Sequence, residues 1–315
     1  MKKVLFATTA LVATAGVASA QGVEVTGYAE MGIFGGTGME TQFFTDIDVR
    51  FRMSGETDNG LTFGAGVDLD EVAGAGPAVS NNADDGGAFY FLSGNFGTVT
   101  MGDTDGALDW ALTEAGNIGN PGSIADDETA HIGYLGAYGD GAYDGQILRY
   151  DNTFGDFGVA LSVEMDDAGV RDAGFAVGAR YGMDMGGADV NFGIGYQFVD
   201  LNGAGSESDI VGVSATVASN GFSAGVEYTQ FNNSALPDVT HVGVGFGYAS
   251  GAFSVGANWG QFDVDGALPD PSGFGLAAAY DLGGGATIQA GYGVSDFDGL
   301  APDLDTFSLG VAMSF

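Results

Sequence analysis

Beyond residue 20 the sequence carries five basic residues, all arginine: Arg50, Arg52, Arg149, Arg171 and Arg180. Against them stand 42 carboxylates, which gives this part of the chain a formal charge of −37. Arg50 and Arg52 are two residues apart, so a strand would place both on one face about 6.6 Å apart. Two guanidiniums side by side repel unless carboxylates face them. Residues 103–145 offer such charge: Asp103, Asp105, Asp109, Glu114, Asp126, Asp127, Glu128, Asp140 and Asp144, with no Lys or Arg. If that segment folds back over the arginines, the result is a transverse field across water. Such a field orders water and favours polar over apolar solutes. The plainer alternative pairs the arginines with Asp46 and Asp48 on their own strand as structural ion pairs.

Other chemistries lack their residues. There is no Cys, and His131 and His241 are the only histidines. Neither a thiol nucleophile nor a multi-histidine metal site can be built from these. No G-x-S-x-G elbow or Walker loop occurs, and enzymatic turnover is not expected. His131, beside "DDET", reads as a lining residue of the acidic segment. "DTDG" (103–106), "DVDG" (263–266) and "DFDG" (296–299) all lack the D-x-D-x-D-G spacing of a calcium loop. No cofactor is expected, apart from weak calcium or magnesium binding by acidic loops. Nucleic acid is excluded as a partner, because phosphate binding needs a basic patch.

The elements that would position these residues are strands. The first twenty residues read as a secretory signal peptide: Lys2 and Lys3, an apolar run from Val4, and Ala18-Ser19-Ala20 before the expected cleavage. The rest, 21–315, alternates with period 2. "TDIDVRFRMSG" (45–55) sets Ile47, Val49, Phe51 and Met53 against Asp46, Asp48, Arg50, Arg52 and Ser54. The chain's end, "FSLGVAMSF", sets Phe307, Leu309, Val311, Met313 and Phe315 against Ser308, Gly310, Ala312 and Ser314. About sixteen such segments of roughly ten residues can be counted, the length a tilted strand needs to cross a bilayer. Tight turns such as "ASNG" (218–221) alternate with longer acidic connections such as "EVAGAGPAVSNNADDGG" (71–87).

The 58 glycines weaken any helical reading. Alternation assigns Arg50, Arg52, Arg149 and Arg180 to the less apolar face and leaves Arg171 in a loop. A lipid-facing arginine costs roughly 2–4 kcal/mol at the bilayer midplane, so a barrel requires this partition. The less apolar face is built of Gly, Ser, Thr and Asp rather than the Lys and Glu that coat soluble proteins. Aromatics collect near strand ends, among them Phe89, Phe91, Tyr196 and Tyr280, as in interfacial girdles. The expected fold is therefore all-β: a transmembrane antiparallel β-barrel of about 16 strands. The stretch 103–145 is too long for a simple connection inside it and reads as a functional loop.

"RFRMSGETDNGLTFGAGV", "FYFLSGNFGTVTMGDTDGALDW" and the end "LGVAMSF" resemble the general diffusion porins of alphaproteobacteria. The similarity covers essentially all of residues 21–315. It implies a homotrimer of sixteen-stranded barrels in the outer membrane of a Gram-negative bacterium, amid lipid and lipopolysaccharide. It implies a long third loop folded into the lumen, here 103–145, and passive passage of small hydrophilic solutes and ions. By the same resemblance Arg50 and Arg52 match wall arginines, and Asp103, Asp105, Asp109 and Glu114 match the acidic leading part of that loop. Phe315 matches the terminal aromatic read by the barrel-assembly machinery. The Pro-Glu-Phe-Gly-Gly motif of enteric porins is absent, and the sparse arginines argue for cation preference. The rivals are a substrate-specific channel, which would show a ladder of lumenal aromatics that alternation does not assign, and an exported soluble calcium-binding β protein.

Overall fold

The computed structural model describes residues 22–72, 87–134, 146–166, 172–199, 207–234, 236–266 and 269–315. The expected signal peptide, Arg171 and the tail of the long loop at 135–145 lie outside these. Sixteen strands form one closed antiparallel barrel: β1 (Gly22–Gly36), β2 (Met39–Glu56), β3 (Thr62–Val72), β4 (Phe89–Gly94), β5 (Gly97–Gly102), β6 (Gln146–Phe154), β7 (Phe157–Met165), β8 (Gly174–Asp184), β9 (Asp189–Val199), β10 (Ser208–Ser219), β11 (Phe222–Asn233), β12 (Val239–Ser250), β13 (Phe253–Val264), β14 (Ser272–Gly283), β15 (Ala286–Asp296) and β16 (Leu304–Ser314). Each strand pairs with its sequence neighbours, and β16 returns to β1 from Tyr28↔Ser314 to Gly36↔Thr306. Closure leaves no sheet edge, so backbone polar groups are satisfied without water, as a bilayer demands. The terminal residue completes the seam: Phe315 N–H donates to the Gly27 carbonyl at 2.8 Å.

The alternation now has a direction. The large apolar residues point out of the barrel: Val23 is 63% exposed, Phe43 86% and Leu309 50%, whereas Ser308 between its apolar neighbours is 3% exposed. A water-soluble sandwich would reverse this, with its apolar face inside. Among the described residues no helix is long and apolar enough to cross a membrane; the apolar surface that faces lipid belongs to strands. The tight turns use residues suited to them, as at Asn220 and Gly221, both with positive φ (51° and 84°). That conformation defines the two-residue hairpin whose twist matches the strands it joins.

Alternation in the sequence runs over "VEVTGYAEMGIF" (23–34) and again from Thr45, and residues 35–44 between them depart from it. The structure continues β1 to Gly36 and starts β2 at Met39, across a Thr37-Gly38 turn in which Gly38 has φ 75°. Pairing explains the extension: Gly35 and Gly36 lie opposite Phe307 and Thr306 of β16. A partner strand holds a glycine pair in extended form despite its weak intrinsic preference.

Candidate functional site

A sixteen-strand barrel is wide enough to keep an aqueous passage unless something fills it. Here the loop after β5 fills part of it. From Asp103 to Tyr134 the chain lies inside the barrel, along the inner wall from β7 round to β1 and back to β13. A five-residue helix, α1 (Ala107–Ala111), packs on β7, β8 and β9. A 3₁₀ turn at Ala115–Asn117 follows on β11 to β13.

The wall receives this loop on glycines. A β-carbon at Gly178 would overlap the Ala107 carbonyl, one at Gly193 the Ala111 carbonyl, and one at Gly245 the Ala115 carbonyl. At Gly260 it would meet Gly133, at Gly275 Glu128, and at Gly293 Asp127. These glycines pair across strands, as in Gly178↔Gly195, Gly225↔Gly245 and Gly275↔Gly293. They form a belt without side chains on which the loop backbone lies flat. Leu108, Ile118 and Ile124 of the loop are buried against it. Burying such a side chain contributes roughly 1.5–3 kcal/mol. The apolar core of this barrel is the seam between loop and wall, where Leu108 packs with Ala160, Ala176 and Ile210.

Polar groups of the wall fix the loop backbone. Ala107 N–H donates to Ser162 Oγ at 2.9 Å, Thr113 N–H to Ser214 Oγ at 2.9 Å, and Ala115 N–H to the buried Glu227 carboxylate at 2.8 Å. Gln289 donates to the Pro121 carbonyl at 3.1 Å, and Ile132 N–H to Ser295 Oγ at 2.9 Å. Asn258 donates to the Glu128 carbonyl at 2.8 Å and accepts from His131 Nε2 at 2.6 Å. None of these wall residues was singled out from sequence as a site residue. A lone Ser, Gln or Glu on an inward face looks the same whether water or a loop covers it.

Several expected lining residues change role. Asp127 and Glu128 are 3% and 2% exposed. Asp127 N–H donates to Ser123 Oγ at 3.1 Å, and Glu128 accepts from Asn120 at 3.1 Å and from Ser123. Both anchor the loop instead of facing water. His131, expected to line the passage, is 4% exposed and bound to the wall; burial lowers its pKa and keeps the ring neutral. Burial, with Glu114 beside it, raises the Tyr134 pKa, and Tyr134 donates to Glu114 at 2.5 Å. That bond joins the outgoing and returning arms of the loop. Asp103, Asp105 and Asp126 remain exposed, and Asp109 and Glu114 are half-buried.

The arginines line the wall that the loop begins from, and two of them, Arg149 and Arg180, touch its first residues. Arg50 on β2 forms a bidentate pair with Asp68 on β3, at 3.0 and 2.8 Å from Nε and 2.5 Å from Nη2. Asp68 was legible: it sits across the strand pair from Arg50, on the same face. The expected alternative named Asp46 and Asp48 instead. Arg149 donates to the Asp105 carbonyl at 2.6 Å and pairs with Asp151 at 3.2 Å. Arg180 stacks on Trp110, with its guanidinium carbon 3.8 Å from the ring centroid. Arg52 lies over Phe89 at 5.9 Å. Phe89 and Phe91 therefore sit on the inner face, where Gly66 and Gly64 opposite them leave room. Their place near a strand end had put them in the interfacial girdle. Among the described residues, no group of three or more His, Asp or Glu converges to hold a metal ion.

Comparison with known proteins agrees with this geometry. A family model described as Gram-negative porin matches residues 7–300. A porin of Rhodobacter capsulatus is 31% identical over 294 residues, 84% of this chain and 92% of that one. A porin structure refined at 1.8 Å superposes with a TM-score of 0.73 at 27% identity, covering 93% of this chain and all of the other. A mutant porin from Rh. blastica gives a TM-score of 0.66 at 21% identity over 93% of this chain and all of its own, a likeness of fold.

Proposed function

The chain belongs to the Gram-negative porin family, and on that premise we propose a cation-preferring pore, assembled as a homotrimer. It is a general diffusion porin of the outer membrane, passing small hydrophilic solutes through a water-filled barrel. The observation that carries the selectivity is the division of the lumen. Arg50, Arg52, Arg149 and Arg180 occupy the wall of β2 to β8, and three of them already have a carboxylate or an indole against them. The loop presents Asp103, Asp105 and Asp126 to water. The face that the loop turns to the passage is therefore acidic, which concentrates cations and disfavours chloride.

The trimer reading is supported by strand length. β4 and β5 have six residues each, whereas a tilted strand needs about 9–11 to cross the hydrocarbon. Lipid cannot cover that sector well, and a neighbouring subunit can. Phe315, 77% exposed at the end of β16, supports its role as the assembly signal. Its deletion should cut the yield of heat-modifiable barrel well below wild type while an internal Phe307→Leu change does not, read on unheated gels of outer membranes.

The deciding measurement is single-channel recording in a planar bilayer under a KCl gradient. Conductance steps in threes with a cation-signed zero-current potential are expected. A chloride-signed potential overturns the selectivity; solitary steps overturn the trimer.

A further inference from the structure

Glu227 on β11 and His241 on β12 are 1% and 2% exposed. They lie beneath the constriction loop, where water does not reach. One carboxylate oxygen, Oε2, accepts the Ala115 N–H at 2.8 Å. The other, Oε1, stands 3.8 Å from His241 Nδ1, and neither of these two atoms has another hydrogen-bond partner. His241 Nε2 lies 3.1 Å from the Gly133 carbonyl. A carbonyl can only accept, so Nε2 carries a proton. Two side chains of the wall thus grip the loop at Ala115 on its outward run and at Gly133 on its return.

The gap between Oε1 and Nδ1 has one chemically sensible content. With a proton in it, the pair is either glutamic acid donating to imidazole or imidazolium donating to carboxylate, and once the 3.8 Å gap closes to hydrogen-bond length every polar atom is satisfied. Without that proton, a carboxylate lone pair faces an imidazole lone pair in a dry site. We infer that Glu227 and His241 are positioning residues of the pore: they share one proton to clasp the loop to the wall, and alkaline pH releases the clasp. The inference rests on the diffusion-channel reading. It extends that reading to what holds the passage open.

The surroundings leave the proton to this pair. From the loop, Glu114 and Tyr134 face the site but bind each other, and His131 is tied to Asn258 of β13. The Phe262 ring of β13 packs on His241 at 4.7 Å and brings no charge. Gly243 beside His241 and Gly260 across from it leave the space the imidazole and the loop backbone need.

The test is single-channel recording of the full chain from about pH 7 to about pH 9.5, a range above the ordinary histidine and carboxyl values. In the wild type, closing events should become about tenfold or more frequent as the proton leaves, the scale expected when a buried polar group loses its partner. Glu227→Gln should flatten the profile. Its amide N–H donates permanently to Nδ1, and its oxygen still accepts from Ala115. His241→Gln should lose the pH dependence as well, with frequent closing at every pH because one amide cannot reach both Oε1 and the Gly133 carbonyl, and covers the case in which the first variant folds poorly. A flat wild-type profile, or variants that keep the full alkaline rise, would overturn the clasp. Steady open channels at pH 7 in the wild type keep the diffusion-channel reading intact even then, and their absence would sink that reading instead.

Discussion

The double substitution Gly245→Ala and Gly275→Ala should leave the barrel assembled and markedly lower its conductance. Both positions are in extended strand, where alanine is at least as comfortable as glycine. The barrel's own hydrogen bonds are untouched. The conflict lies with the loop: a β-carbon at Gly245 overlaps the Ala115 carbonyl, and one at Gly275 overlaps the Glu128 backbone. Neither obstacle is a side chain that can turn away. The loop backbone must move toward the axis at two places about half-way round its course, and the passage narrows by what the loop gives up. Overpacking of this kind costs roughly 1–3 kcal/mol per site, enough to shift the docked loop toward lifted states by one to several orders of magnitude. Heat-modifiable mobility on gels reads the barrel, and bilayer conductance reads the loop. Gly27→Ala is the control: its new carbon meets Phe315 at an ordinary 3.6 Å, and conductance should not change. Wild-type conductance in the double variant would mean that the belt does not position the loop.

This belt also explains why the barrel was easier to read than its contents. Strands announce themselves by what they expose. Leu309 and Phe307 repeat at period 2 because lipid selects large apolar groups at every outward position, while Ser308 and Gly310 fill the gaps. The docking surface announces nothing, because a glycine chosen to admit a backbone is identical in sequence to one that merely faces water. The abundance of glycine was legible and its arrangement was not: Gly225↔Gly245 and Gly275↔Gly293 are neighbours only once the register is known. Charge misled in the same way. Asp127 and Glu128 have the same formal charge as Asp126 beside them, yet Ser123 and Asn120 hold the two in the seam while Asp126, with φ 50°, turns out to water. Arg50 and Asp68, by contrast, could be matched from strand pairing alone, since opposite positions across an antiparallel pair share a face.

Selectivity should follow the exposed carboxylates and not the loop's formal charge. Asp105→Asn, Asp109→Asn and Asp126→Asn together remove three charges that face or border the passage. Asparagine suits the left-handed backbone at 126 as well as aspartate does, and the anchors Asp127 and Glu128 stay in place. A lumen potential of about one kT gives a cation-to-anion ratio of about seven, and the triple variant should bring the zero-current potential most of the way to zero at low salt. Each charge acts over about 10 Å at 0.1 M salt and about 3 Å at 1 M, so wild type and variant should converge in concentrated KCl. Arg50→Ala moves the potential the other way, because it leaves Asp68 without its partner. Acid offers an independent check. Partial desolvation where the loop meets the wall, although the side chain still reaches water, together with Glu128, Asp127 and Asp46, raises the Asp126 pKa. A group with a raised pKa takes up its proton first as the pH falls, so wild-type preference should begin to weaken above the ordinary carboxylate range, and the triple variant should lack that first decline. An unchanged zero-current potential in the triple variant would place the selectivity outside the constriction, in the acidic connections at the mouth.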